Sequence, residues 1–356
     1  MHRSNGSCIP FAAALALAPL TAQAGGDLDC DRWGALQSLG AVLADDVDEL
    51  SGMAASQRHG DLLWVHDDSG GGAQLHAVTA STGAYQAAVA IPEADNEDWE
   101  DLALGPCPDE ACGCLYIADA GSADRSRQTG ILWVLPEPDP ADGVSVAATA
   151  IRFAWPDGGH DAETLLVDPL SGEAVLVTKE PEGPAQVYAF PTAPPQPGGT
   201  VTLEWVGEID LSAVGAQETS ITGGAVSPGG ERIALRTDKD LLVFTVGEAG
   251  LVAALGYVPD HLDAPPSENG EALTFSADGS ALYLLNEGDS PLLWTLACAE
   301  PVDAHAVDAG LDECAAVTEK EGCGCASGGS SASLGLAIGA LLLGLRRRGG
   351  CRPALI

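Results

Sequence analysis

The sequence predicts an all-β fold, a β-propeller of five blades, with six blades as the rival count. Three features carry this. Short apolar segments alternate with turns rich in Gly, Pro, Asp and Ser. These segments group into units with a period of about 45 to 60 residues, the range of propeller blades. Apolar residues at helical spacing are nearly absent.

Each unit opens on a polar residue followed by a short apolar strand: Ser51-Gly-Met-Ala-Ala, Glu100-Asp-Leu-Ala-Leu, Glu163-Thr-Leu-Leu-Val, Thr222-Gly-Gly-Ala-Val and Glu271-Ala-Leu-Thr-Phe. After a turn such as Ser227-Pro-Gly-Gly-Glu231, a second strand begins, at Leu63, Leu115, Val175, Ile233 and Leu282. Third strands begin at Leu75, Ile131, Val187, Leu241 and Leu292. Looser fourth strands follow in four units, with Val201 to Trp205 and Leu251 to Tyr257 as examples. The fifth unit ends at Cys298 without one, and Ala35 to Leu43 is a spare strand able to complete that blade and close the ring. Closure removes free sheet edges. It also brings Cys30 beside Cys298, so a disulfide between them is expected to clasp the circle. Trp64, Tyr116, Trp133, Tyr188, Tyr283 and Trp294 recur at strand positions and are expected to fill the contacts between blades; Trp99 is kept as a candidate binding aromatic.

The chain divides into four segments: a signal peptide (1–24), the propeller ectodomain (25–298), an acidic linker with a Cys motif (299–325), and a hydrophobic segment with an arginine stop (326–356). His2 and Arg3, the apolar run from Ile9 to Leu20, and Ala22-Gln-Ala24 follow the secretory plan, which predicts cleavage after Ala24. At the other end, the apolar Leu334 to Leu345 is followed at once by Arg346-Arg-Arg348, so a C-terminal transmembrane helix is expected, with the ectodomain outside the cytoplasm. Gly322-Cys-Gly-Cys325, a short hydrophobic helix and an arginine cluster together resemble the MYXO-CTERM sorting tail of myxobacterial surface proteins. That resemblance implies surface display, with Cys323 or Cys325 as the processing or anchoring point. Eight cysteines remain in the exported segment once Cys8 and Cys351 are set aside, an even number that reads as disulfides in an oxidising compartment. Cys107, Cys112 and Cys114 crowd one loop, where a local disulfide is expected over zinc, since no His lies close.

The chain carries 52 acidic against 15 basic residues, and Arg3, Arg346, Arg347, Arg348 and Arg352 lie in the two ends. An ectodomain this acidic lacks the basic footprint that nucleic acid and anionic lipid require. It suits divalent cations, cationic partners or simple solubility. The expected partners are the membrane, through the C-terminal segment, and a protein or small-molecule ligand.

In a propeller the innermost strand of each blade starts on the face where the second strand ends. The residues at these two places therefore converge on one mouth of the central channel. The candidate binding residues are Glu100, Glu163, Glu271, Asp67, Asp119, His66, His160, Asp161, Lys179, Arg236, Asn286 and Glu287, within a wider rim that includes Glu49, Asp68, Asn96, Glu97, Asp98, Asp238 and Glu268. Crowded carboxylates repel one another and raise some pKa values or demand a cation. Calcium, which takes six to eight oxygens, fits such a set, with Glu100, Glu163, Glu271, Asp67 and Asp119 as candidate ligands. Two other readings stay open: each acid caps its own blade through backbone N–H groups, or the rim is catalytic. The catalytic one rests on resemblance. Glu271-Ala-Leu-Thr-Phe-Ser-Ala-Asp-Gly-Ser-Ala-Leu-Tyr-Leu-Leu-Asn-Glu287 is similar to repeats of phytase-like and esterase-like secreted propellers, and Leu62-Leu-Trp-Val-His-Asp-Asp-Ser-Gly70 looks like a strand-end motif of related bacterial propellers. That implies a metal-assisted phosphoesterase with His66, Asp67, His160 and Asp161 in acid–base work and Lys179 and Arg236 holding phosphate. The sequence has no nucleophile-elbow, zincin or phosphate-loop motif.

Overall fold

Strands this short satisfy their backbone hydrogen bonds only beside other strands, and their apolar faces only beneath another sheet. In the computed structural model both needs are met by repetition around a circle. It describes residues 30, 32–42, 49–108, 113–145, 147–266, 269–288 and 291–299. The expected signal peptide, Glu268, the linker beyond residue 299, Cys323, Cys325 and the hydrophobic C-terminal segment lie outside the described residues. No helix among the described residues is long and apolar enough to cross a membrane.

Strand β1 (Gln37–Ala41) precedes the first blade, β2 (Leu50–Ala55), β3 (Leu62–Asp67), β4 (Gln74–Thr79) and β5 (Tyr85–Ala90). Blade two is β6 (Trp99–Pro106), β7 (Gly113–Asp119), β8 (Thr129–Pro136) and β9 (Thr149–Ala154). Blade three is β10 (Ala162–Val167), β11 (Ala174–Thr178) and β12 (Ala185–Ala189); β13 (Val201–Thr202) then leads into its fourth strand, β14 (Glu204–Ile209). Blade four is β15 (Gly223–Val226), β16 (Arg232–Arg236) and β17 (Asp240–Thr245), with α1 (Leu251–Ala254) before its edge strand β18 (Asp260–Asp263). Blade five is β19 (Gly270–Phe275), β20 (Ala281–Asn286) and β21 (Leu292–Ala297), completed by β1 in the order β1-β21-β20-β19. Innermost strands β2, β6, β10, β15 and β19 each pack on the next, and β19 packs on β2. The blade count is therefore five, and the ring closes through the N-terminal strand as expected.

Apolar side chains fill the spaces between consecutive blades. Trp64 and Leu75 of blade one meet Leu102, Ile117 and Trp133 of blade two. Tyr116 and Phe153 of blade two meet Leu165 and Tyr188 of blade three. Tyr283 and Trp294 pack, partly buried, against the clusters on either side of blade five. Trp99 belongs to this core as well: it is fully buried, and its indole N–H donates to Asp95 O at 3.0 Å. It is not a binding aromatic.

Both expected disulfides form. Cys30–Cys298 joins residues 268 apart in sequence, with Cα atoms 5.4 Å apart, and Cys107–Cys114 closes the local loop.

Two fourth strands differ from expectation. Val201–Thr202 pairs in parallel with β9 of the neighbouring blade, and only Glu204–Ile209 serves blade three. In blade four, Leu251 to Ala254 forms one helical turn that buries Leu251 and Ala254, and the polar Asp260–Asp263 takes the edge. Apolar residues three apart satisfy a helical turn, and an outer strand with one solvated face needs no apolar run.

Candidate functional site

The innermost strands share one irregularity. Leu50 lies opposite Asp67 and Gly52 opposite His66, so Ser51 has no partner; the same shift leaves Glu100, Glu163 and Glu271 unpaired in blades two, three and five. A β-bulge takes one residue out of the ladder and re-aims its side chain. The polar residue that opens each unit is thereby freed from the alternation of its strand. In blade four the ladder is regular from Gly223. Where the residue is small it ties blades together: the Ser51 hydroxyl donates to Glu100 O at 2.5 Å, and the Thr222 hydroxyl donates to Gly270 O.

The glutamates gather, as the repeat predicts. One oxygen each of Asp68, Asp98 and Glu100 lie within 4.8 Å of one another, as do oxygens of Glu100, Asp161 and Glu163. Glu100 thus belongs to two overlapping triads. It is 5% exposed, Glu163 7% and Asp161 9%. The approach is so close that a Cβ on Gly121 would lie 1.8 Å from Glu100 Oε1 and 2.6 Å from Asp98 Oδ2. A larger residue there would have to displace both carboxylates.

The partners of these carboxylates are few. Asp161 Oδ1 accepts from the Ser122 N–H at 2.7 Å, and Glu163 Oε2 accepts from Lys179 Nζ at 2.9 Å. The Glu100 carboxylate receives no hydrogen bond from any described residue, and Asp68 Oδ1 and Glu271 Oε2 are sealed from solvent without a partner. Burial, then mutual repulsion, pushes Asp68, Glu100, Glu163 and Glu271 up. Asp68 rises to about 7 through burial and the neighbouring Asp98. Glu271 rises to about 9 through burial and Glu163. Glu100 rises well above the usual carboxylate range through burial and the charges of Glu163, Asp68 and Asp98. Glu163 rises to about 7 because its burial outweighs the pull of Lys179. Burial disfavours the Lys179 ammonium too, but Glu163, Glu271 and Glu100 hold it protonated. Glu287 is raised by burial and by Glu49.

Several predicted site residues stand outside the two triads, though Asp119 lies against them, its Oδ1 accepting from the Asp98 N–H at 3.2 Å. Asp67 faces into blade one, where its Oδ2 lies 3.1 Å from His76 Nε2, and Asp119 accepts from Arg127 Nη1 at 2.6 Å. Both belong to the ladder, opposite Leu50 and Trp99, and Asp67 follows its blade while Asp119 is tied up with Arg127. The cluster keeps the predicted Asp161 and takes two residues of the wider rim, Asp68, one residue past the strand end, and Asp98, just before Trp99. The signal for them was the position just outside the ladder, beyond the reach of its alternation.

His66 is fully enclosed, its Nδ1 2.9 Å from Asp67 O, and burial lowers its pKa to about 4. It stays neutral and is shielded from any ligand. Arg236 is fully buried as well: Nη1 donates to Ala272 O and Leu285 O, both at 2.9 Å, and Nη2 donates to Asn286 Oδ1 at 3.2 Å. Arg236 is sealed from solvent, its Nε without a partner among the described residues, and so cannot reach a phosphate at the mouth. His160 joins a separate cluster, its Nε2 3.0 Å from Asp157 Oδ1 and 2.9 Å from the Tyr188 hydroxyl, with its ring against Trp155. The acid–base and phosphate-holding set inferred from resemblance therefore does not assemble around one cavity. The carboxylates do. They form a hard, oxygen-only donor set with one ammonium at its side.

No family model and no curated protein matches the chain. Among solved structures it is similar to the soluble aldose sugar dehydrogenase of Escherichia coli in its apo-form, at 12% identity over 74% of this chain and 99% of that one, with a TM-score of 0.43. It is similar also to the WD40 repeats of RRP9 (9% identity, 74% of this chain, 100% of that one, TM-score 0.38). A third is the hydrazine synthase of Kuenenia stuttgartiensis (14% identity, 69% of this chain, 57% of that one, TM-score 0.34). At such values the likeness says nothing of activity.

Proposed function

We propose that the chain is an exported binding module whose propeller holds a calcium ion at the mouth, beside Glu100. The observation that carries this is Glu100, 5% exposed, without a hydrogen bond from any described residue, and within 4.8 Å of carboxylate oxygens on both sides. A buried carboxylate left alone costs several kcal/mol unless it is protonated or paired. Calcium suits the site better than zinc or copper, because Asp68, Asp98, Glu100, Asp161 and Glu163 offer oxygen alone and come from loops and bulges of irregular geometry. The two disulfides fit an oxidising compartment. The secretory N-terminus and the Cys, hydrophobic and Arg order of the tail support display at the cell surface, held there by the C-terminal segment. Protease added to intact cells degrades the ectodomain if this placement holds and spares it if the protein stays inside.

The pH dependence of stability tests the cation site. Asp68 and Glu163 are raised to about 7 and Glu271 to about 9. An acid raised on folding adds stability that is fully present below its unfolded pKa, near 4, and is lost as pH climbs through the folded value. In chelator, the melting temperature therefore falls from pH 5 to pH 8. Calcium at a hundredfold over its Kd restores about 2.7 kcal/mol, or roughly 5 to 10 °C, at pH 8. At pH 5, with Asp68, Glu163 and Glu271 protonated, it restores little. Identical melting curves with calcium and chelator at pH 8 would reject the site.

A further inference from the structure

The two triads that share Glu100 are not equivalent. Asp68, Asp98 and Glu100 form no ion pair with any basic side chain among the described residues. In the second triad, Glu100, Asp161 and Glu163, Lys179 Nζ already stands 2.9 Å from Glu163 Oε2. Lys179 is fixed from below as well, since its backbone N–H donates to Asp161 O at 2.8 Å, and its side chain is 31% exposed, open to the mouth. The ammonium occupies the Glu163 oxygen that a cation in the second triad would need and adds its own repulsion to a divalent ion there.

We propose that Lys179 is a built-in cation: it fills the second triad and limits the rim to one metal ion, held by Asp68, Asp98 and Glu100. This rests on the calcium reading of the rim and adds to it which triad is metallated and why only one is. Two further observations point to a ligand beside Glu100, the second of them at the first triad alone. The Glu100 carboxylate is buried without a hydrogen bond from a described residue, and Asp68 Oδ1 is sealed without a partner. In the second triad one oxygen of each of two members is already engaged, Glu163 Oε2 by Lys179 and Asp161 Oδ1 by the Ser122 N–H. Removing the ammonium frees Glu163 Oε2 and leaves a second oxygen-only site bridged to the first through Glu100.

The test is calcium stoichiometry by isothermal titration of the full chain at pH 8, comparing wild type with K179M and K179R. Wild type and K179R are expected to bind one ion per chain, and K179M two, the second more weakly because it shares Glu100. One ion in wild type and one in K179M overturns the role of Lys179 and leaves the calcium site standing. Two ions in wild type overturns it also. No calcium in wild type but one in K179M supports the lysine as a surrogate cation and rejects calcium binding by the native rim, while none in any of the three rejects both. Because K179R keeps the charge, two ions in a folded K179R sinks the proposal even if K179M fails to fold.

Discussion

Changing Cys30 and Cys298 to serine lowers the stability of the ring by up to about 5 kcal/mol, the loop-closure value for a cross-link of this span, seen as a lower urea midpoint. The bond joins residues 268 apart and ties the strand entering blade five to the strand leaving it. Beside it, Trp33 bridges Cys298 and the Gly34 N–H donates to Ala297 O at 2.8 Å. Without the cross-link, the N-terminal segment is held by the ladder of β1 with β21, by a few backbone bonds beside it and by the packing of Trp33 and Leu36 on one side and Val42 and Leu39 on the other. Opening at this seam is then the expected first step of unfolding. Hydrogen exchange checks it: amides of β1 and β21 should lose protection before those of blades two and three. Uniform loss of protection around the ring would contradict a clasp at this seam.

Arg236→Met is expected to cost about 3 to 5 kcal/mol, as loss of a fully buried, hydrogen-bonded charge does. The bulge at Glu271 takes that residue out of the ladder between β19 and β20, and Arg236 Nη1 reaches across from blade four to accept its place there, donating to Ala272 O and Leu285 O. Gly270 makes room, for a Cβ there would lie 2.0 Å from Arg236 Nη2. The guanidinium thus fastens blade four to blade five while burial lowers its pKa to about 10. Urea unfolding of the variant measures the cost; a loss below about 1 kcal/mol would show the carbonyls finding other donors.

Much of the ring was legible because its information is local. Polar residues at Glu100, Glu163 and Glu271, turns such as Ser276 to Ser280, and apolar strands between them repeat at blade spacing, and a fifth unit lacking an edge pointed to Ala35 to Leu43. Fourth strands were harder, because an outer strand needs only one apolar face; His261 and Asp263 sit in one where Leu251 to Tyr257 was expected. The site was legible to within a residue. Asp67 and Asp119 are the last residues of their strands, Asp68 and Asp98 stand just outside theirs, and whether a terminal side chain follows the ladder depends on bulges that leave no mark in composition. The long polar side chains were the hardest, since the next blade decides their fate. His66 and Arg236 are buried because glycines leave space opposite them: a Cβ on Gly52 would lie 2.2 Å from His66 Nε2, as one on Gly270 would meet Arg236. Glycine beside the opening residue of an inner strand was the available signal.

The claim on which the rest depends is that the buried carboxylates around Glu100 hold a hard cation, and equilibrium dialysis of the full chain against calcium at pH 8, beside Glu100→Gln, tests it most directly. The account predicts stoichiometric binding with a Kd of roughly 1 mM or tighter, weakened at least tenfold in E100Q while E271Q, outside both triads, binds as wild type. No bound calcium at about 10 mM, well above the range of extracellular calcium modules, or equal binding by E100Q, would contradict it.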